Sequence, residues 1–149
     1  MDYELGAHAP FAQRLDLAER PTRILHAMFR VLSLQRSLDF YIGALGMSLL
    51  RRQDYPSGRF TRAFLGYDSE ESQTVLELAH YWDRTEPYTQ GSAFGHLAIA
   101  VNDLYATCAD LAEKGVTILN PPTSARHSPV LAASIEDPDG YRIELVDRR

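Results

Sequence analysis

The chain has 149 residues, of which 45% are hydrophobic and 23% charged, and this balance is typical of one globular domain or two small halves sharing a core. A net charge of −5 with no basic run argues against nucleic acid as the main partner, and no apolar run approaches the ~20 residues that cross a bilayer. Cys108 is the one cysteine, so internal disulfides are excluded, and without a visible secretory signal we expect a cytoplasmic protein.

Residues 1–21 stand apart from the regular pattern that follows them. Phe11, Leu15 and Ala18 would share one face of a helix, as they would in an amphipathic segment. We interpret these residues as an N-terminal arm that docks on a partner subunit. A frayed arm is the alternative interpretation.

The next residues predict a β-α-β-β-β order. Ser33 can cap a helix whose apolar residues recur at helical spacing, and Gly46 can end it. Alternating and apolar segments bounded by turn residues predict strands at 24–31, 47–54, 59–67 and 74–80.

The same order then repeats. Asp103 and Gly115 bracket a second helix, and strands are predicted at 94–101, 116–119, 130–136 and 141–146. Because a period near 70 residues is too long for a solenoid, it indicates duplication of a supersecondary unit. We therefore predict an α+β fold with two βαβββ modules, at 22–85 and 92–149, in one domain spanning 22–149.

One histidine and one glutamate recur at equivalent places in the two modules. His26 and His96 are 70 positions apart, and Glu77 and Glu144 are 67 apart. Because strand side chains alternate between faces, both glutamates project away from the leucines and isoleucine that flank them, onto the opposite face. Two carboxylates and two imidazoles converging there would resist burial without a cation. Such a donor set predicts one divalent metal ion, with Ni²⁺, Co²⁺ or Mn²⁺ favoured and Zn²⁺ also compatible.

Four segments resemble the signature segments of the lactoylglutathione lyase (glyoxalase I) family in the vicinal-oxygen-chelate superfamily. They read HAMFRVLSLQRSLDFYIGALGM, TVLEL, FGHLAIAV and EDPDGYRIEL. The resemblance implies a curved half-barrel sheet and a homodimer with its active sites between subunits. It also implies metal ligands at His26, Glu77, His96 and Glu144, the compact bacterial type activated by nickel or cobalt, and no organic cofactor.

The same resemblance implies an isomerisation, in which the hemithioacetal of methylglyoxal and glutathione becomes S-lactoylglutathione. Glu144 is the expected general base, with Glu77 as the alternative or its counterpart for the other enantiomer. By the same resemblance, Arg30 would bind the γ-glutamyl carboxylate and Arg126 the glycine carboxylate of glutathione.

The chain departs from its bacterial relatives just after the Glu77 strand. Those relatives usually have Asn-Trp-Gly where this chain has Tyr81-Trp82-Asp83. The resemblance places Tyr81 at the position that contacts the thiol cosubstrate. We also expect the carboxylate of Asp83 to add negative charge near the site for an anionic ligand.

Two other functions are compatible with the same scaffold. One is a binding or sequestration protein without catalysis, and the other is a different metalloenzyme of the superfamily that uses another thiol or substrate. Four intact ligands argue against the first. Glu77 as a fourth ligand argues against chemistries that need three ligands and an open position.

Overall fold

The computed structural model describes residues 18, 20–124 and 127–148, and it contains two four-stranded sheets, each accompanied by helix. The predicted N-terminal arm therefore lies almost entirely outside the described residues. The first half contains β1 (His26–Arg30), α1 (Leu34–Leu38), β2 (Ser48–Tyr55), β3 (Phe60–Gly66) and β4 (Val75–Tyr81). The second half contains β5 (Leu97–Val101), α2 (Leu104–Glu113), β6 (Thr117–Ser124), β7 (Leu131–Glu136) and β8 (Arg142–Asp147).

The helix of the first half begins where the sequence predicts but is not one regular α-helix. The Ser33 side chain accepts a hydrogen bond from the backbone N–H of Arg36, and this caps α1. After five residues the chain continues in wider π-helical turns over Asp39–Ala44, where both Phe40 and Tyr41 are buried. Gly46 then ends the helical segment with a φ of 75°, a left-handed conformation that glycine adopts without strain.

The second half departs from the predicted strand bounds at two places. β5 begins at Leu97 rather than residue 94, so His96 lies just before the strand. β6 runs to Ser124, well past the predicted end at 119, although it contains two prolines. Because β6 is an edge strand, it can absorb those prolines, and its pairing with β7 is irregular on both sides of Asn120.

The two sheets have the same topology. Their strand orders are β1-β4-β3-β2 and β5-β8-β7-β6, so the first strand of each half is an edge strand that pairs in parallel with the last. Even the register repeats, because Met28 lies opposite Glu77 and Ala98 lies opposite Glu144. The α+β prediction is therefore confirmed, down to matching positions in the two halves.

One face of each sheet packs into a common hydrophobic core with the helices. The core includes Phe29, Leu76, Leu78, Leu104, Leu111, Ile135, Ile143 and Leu145, all of them buried. The turn before β8 ties the halves together, since the Tyr41 hydroxyl donates to Asp137 at 2.7 Å and the Leu32 N–H donates to Asp139 at 2.9 Å. No helix among the described residues is long and apolar enough to cross a membrane.

Candidate metal centre

The first half brings His26 and Glu77 together on the sheet face opposite the core. In the parallel β1–β4 pair His26 lies opposite Val75, two residues before Glu77, so both side chains project from the same face. The Nε2 atom of His26 is 3.1 Å from Oε2 of Glu77. Glu77 is only 5% exposed, because neighbouring side chains on the same face cover it.

The second half repeats this pair with His96 and Glu144. The Nε2 atom of His96 is 3.4 Å from Oε2 of Glu144. This pair is more open, because the side chain of Glu144 is 32% exposed whereas that of Glu77 is 6% exposed. The two sequence-predicted pairs therefore exist as two separate half-sites of unequal burial.

The geometry of each pair fits one edge of a metal coordination shell. Two donors that each lie about 2.1 Å from an ion are about 3.0 Å apart in an octahedral shell and about 3.4 Å apart in a tetrahedral one. Both measured His–Glu distances lie in this range. Imidazole nitrogens and carboxylate oxygens also suit a divalent transition metal.

The four predicted ligands do not converge within one chain. Among the described residues, no three histidine, cysteine, aspartate or glutamate side chains form a group that could hold a metal ion. Among the described residues, the two His–Glu pairs therefore lie at different places.

Arg62 is a residue of this site that the sequence analysis missed. It lies on β3 opposite Ala79, on the same face as Glu77, and its Nε–H donates to Oε1 of that carboxylate. The bond to Glu77, followed by one with Tyr55, raises the pKa of Arg62 above that of an ordinary guanidinium. Alternation along the predicted strand 59–67, with its pairing to the next strand, was the signal that could have identified Arg62.

Phe64 fills the space between the half-site and a second arginine. It lies opposite Glu77 in the β3–β4 pair, and the His26 ring meets it edge-on at 5.5 Å between centroids. The guanidinium of Arg51 lies 3.6 Å from the Phe64 ring centroid and also donates to Glu70 at 2.8 Å. That hydrogen bond lowers the pKa of Glu70.

Two of the predicted substrate-binding residues share the face of the first half-site, and the third is not described. Arg30 follows His26 by four positions along β1, so its side chain projects to the same side and is exposed. Tyr81 is 38% exposed, and its ring lies 5.5 Å from that of Phe60. Arg126 lies outside the described residues.

The carboxylate of Asp83, expected to add negative charge near the site, is paired with an arginine. Its two carboxylate oxygens accept hydrogen bonds from Nε and Nη2 of Arg59, at 2.6 and 2.8 Å. This bidentate pair lowers the pKa of Asp83 and raises that of Arg59. Arg59, the residue that ends the β2–β3 turn, thus offsets the charge of Asp83 at the end of the sheet, and the effect of Asp83 on an anionic ligand stays a prediction.

Two other reactive side chains lie away from the half-sites. His80 alternates to the core side of β4 and lines a separate cavity of about 430 Å³ together with Trp82. Cys108 is buried on α2, and burial raises the pKa of its thiol. Neither residue touches the ligand pairs.

Comparison with known proteins identifies the family of this chain. The model of the Glyoxalase/Bleomycin resistance protein/Dioxygenase superfamily matches residues 23–145, which contain both half-sites. The chain belongs to this superfamily. A lactoylglutathione lyase of Neisseria meningitidis is 49% identical over 127 residues, covering 85% of this chain and 91% of the relative. A probable lactoylglutathione lyase of Synechocystis is 48% identical, with coverage of 83% and 93%.

Solved structures of the superfamily share the fold. A trypanothione-dependent glyoxalase I of Leishmania major has a TM-score of 0.75 at 41% identity, covering 85% of this chain and 87% of its own. Glyoxalase I from Zea mays has a TM-score of 0.81 at 37% identity. This chain spans 44% of the length of that maize chain. The resemblance to glyoxalase I seen in the sequence is therefore confirmed.

Proposed function

We propose that the protein is a lactoylglutathione lyase that converts the methylglyoxal–glutathione hemithioacetal to S-lactoylglutathione. The observation that carries the proposal is the recurrence of one His–Glu pair in the same register of both sheets, at 3.1 and 3.4 Å. Relatives of this chain at 48% and 49% identity are named for that reaction. We assign the lyase domain to 22–149, with modules at 22–85 and 92–149.

We infer that two chains form a homodimer in which each active site combines one pair from each subunit. Support comes from the edge position of β1 and β5, which carry or directly follow the two histidines. Ile24 and Leu25, just before β1, are 72% and 59% exposed. Such exposure to water is unfavourable for aliphatic side chains and is typical of a contact surface. Juxtaposing β1 of one copy with β5 of the other would bring the complementary pairs together and cover this apolar edge.

The proposed cofactor is one divalent ion per site, Ni²⁺ or Co²⁺ by preference, held by His26 and Glu77 of one chain with His96 and Glu144 of the other. When bound, the ion supplies Lewis-acid stabilisation of the negative charge that develops on the two substrate oxygens. The chain itself must supply the group that moves the proton.

Glu144 is the proposed general base. Its carboxylate accepts the proton from C1 of the hemithioacetal, and the C1–H electron pair forms the C1–C2 double bond while the C2 carbonyl pair moves onto its oxygen. The carboxylate then returns the proton to C2, and the C1 hydroxyl becomes the carbonyl as its proton passes to the C2 oxygen. No electrons leave the substrate, so the reaction needs no redox cofactor. Among the described residues Glu144 has no arginine bound to its second carboxylate oxygen, unlike Glu77, and is therefore less restrained; Glu77 could serve the opposite enantiomer.

Cationic side chains would guide the acidic thiol to the metal. Arg30 projects from the same face as His26, and we propose that it binds the γ-glutamyl carboxylate, with Arg126 on the glycine carboxylate. Tyr81 would contact the peptide portion of the thiol. A reducing cytoplasm, which supplies glutathione and keeps Cys108 free, is the proposed location.

Metal reconstitution tests the proposed function. The purified protein should be stripped of metal, reloaded separately with Ni²⁺, Co²⁺, Mn²⁺ or Zn²⁺, and assayed for thioester formation from methylglyoxal and glutathione. We expect activity to be absent from the stripped protein and restored most strongly by Ni²⁺ or Co²⁺. Absence of activity with all four ions would contradict the lyase assignment.

A further inference from the structure

The two glutamates occupy equivalent positions but have different neighbours. On β3, Arg62 lies opposite Ala79, two residues beyond Glu77, and on β7, Ala132 lies opposite Val146, two residues beyond Glu144. Arg62 and Ala132 are therefore the same position of the repeat. One half-site carries a guanidinium there, and the other carries a methyl group.

This difference between Arg62 and Ala132 gives the two carboxylates different hydrogen-bond partners. Glu77 faces His26 through Oε2 and accepts the Nε–H bond of Arg62 on Oε1, so its two oxygens have separate partners. Glu144 faces His96 through Oε2, and within the described part of the chain no arginine or lysine pairs with it. A carboxylate with a charge-assisted hydrogen bond is fixed in orientation, whereas one without such a bond is freer to rotate.

The surroundings of Arg62 fit a fixed support. Its guanidinium lies 5.1 Å from the Phe64 ring centroid. Its diagonal neighbour on β2, Tyr55, stacks on Phe60 with 4.6 Å between ring centroids. The aromatic ring of Phe64 thus lies beside the guanidinium of Arg62 while its Nε–H donates to Glu77. Residues that orient a metal ligand through its second polar atom typically alter metal affinity by 10–100-fold when they are removed.

We propose that Arg62 is a positioning residue that holds Glu77 as a one-oxygen metal ligand, with Oε1 bound to Arg62 and Oε2 directed to the ion. The inference rests on the proposed function, because it assumes that Glu77 is a ligand. Arg62 would thus have a role in metal binding although it is not one of the four predicted ligands. This role also explains why the repeat is asymmetric, since an equivalent arginine at Ala132 would restrain the proposed base, Glu144.

Metal titration of Arg62→Leu, Arg62→Lys and Arg51→Leu tests the inference. Arg51→Leu is the matched control, because it removes the same charge from the same sheet face without touching Glu77. The binding of Ni²⁺ is measured by calorimetry in the dimeric protein. We expect Arg62→Leu to weaken binding by about 10–100-fold, Arg62→Lys to recover part of the loss, and Arg51→Leu to stay within about twofold of the parent chain.

The visible absorption spectrum of the Co²⁺-loaded protein gives a second readout that is independent of activity. If Arg62 sets the binding mode of Glu77, Arg62→Leu shifts the spectrum, whereas Arg51→Leu leaves it unchanged. An unaltered affinity and spectrum in Arg62→Leu, with the parent chain binding Ni²⁺ normally, would overturn the inference. Failure of the parent chain to bind any of the four ions would instead overturn the proposed function. If Arg62→Leu does not fold, Arg62→Lys carries the test, because loss of the planar guanidinium must then change affinity or spectrum.

Discussion

Glu77 and Glu144 differ in burial and in hydrogen bonding although the repeat places them in equivalent positions. Glu77 is enclosed by His26, Arg62 and Phe64, whereas Glu144 is half-exposed beside His96. A group that must bind a metal and also exchange a proton needs freedom to move. This difference supports the proposal, first made from the family resemblance, that Glu144 is the base.

Replacing Glu144 with glutamine should lower kcat by about 10²–10⁴-fold, because the amide cannot accept the C1 proton. Glu113→Gln, the same chemical change at an exposed position on α2, should leave kcat unchanged. Both variants are assayed in the metal-loaded form at saturating hemithioacetal. Near-normal turnover by metal-loaded Glu144→Gln would show that another group is the base.

Counting the repeat was enough to predict the two His–Glu pairs, but not the residues around them. The His–Glu pairs follow from strand alternation and a 70-residue period, and these are properties of the sequence itself. Arg62 required the register between β3 and β4, which decides that residue 62 lies beside Glu77. The Arg59–Asp83 pair likewise depends on how the β2–β3 turn aligns with the end of β4.

At the scale of elements, one hydrogen-bonded turn connects the two halves. Asp137 accepts bonds from the backbone N–H groups of Asp139 and Tyr141 and from the hydroxyl of Tyr41, which lies in the π-helical segment. Burial raises the pKa of Asp137, although these hydrogen bonds oppose the shift. The Asp-Pro-Asp-Gly turn therefore has a structural role, which is to connect the two halves.

Tyr41→Phe should lower the free energy of unfolding by about 1–3 kcal/mol, because it leaves a buried carboxylate short of a donor. Burial, and then the charge of Asp137, raises the pKa of Tyr41 above its ordinary value. Because the folded-state pKa is higher than the unfolded value of about 10, this stabilisation is complete below about pH 10 and is lost above it. Urea unfolding from pH 7 to 11 should therefore show a shallower alkaline decline in Tyr41→Phe than in the parent chain.

Tyr105→Phe is the control for this comparison, since Tyr105 lies on α2 with 58% of its surface exposed. It should match the parent chain in stability at pH 7. If Tyr41→Phe were as stable as Tyr105→Phe at that pH, the Tyr41–Asp137 bond would not support the junction between the halves.

Local patterns predicted the element order better than the element details. Helix caps at Ser33 and Asp103 and helix ends at Gly46 and Gly115 are encoded by single residues, and the structure confirms all four. The π-helical turns after α1 bury both Phe40 and Tyr41, and no local propensity predicts these turns. β6 continues through its prolines because it is a sheet edge, and that position is decided by the whole sheet.

At the scale of the whole molecule, the described residues contain two separate His–Glu pairs and no group of three metal-binding side chains. His26 lies on the edge strand β1 and His96 directly precedes the edge strand β5, whereas the two glutamates lie on the inner strands β4 and β8. The proposed dimer completes both sites at once, because a two-fold arrangement joins the first half of each chain to the second half of the other. Sequence patterns predicted the pairs, whereas their division between subunits came from the family resemblance alone.

Mixing two inactive chains tests this shared-site account most directly. One chain carries His26→Ala and Glu77→Gln, and the other carries His96→Ala and Glu144→Gln. If sites are shared, a mixed dimer has one site with all four replacements and one intact site, so statistical exchange should restore about a quarter of the parent activity from two inactive stocks. Absence of activity in a preparation whose mixed dimers are demonstrated by mass spectrometry would contradict the account.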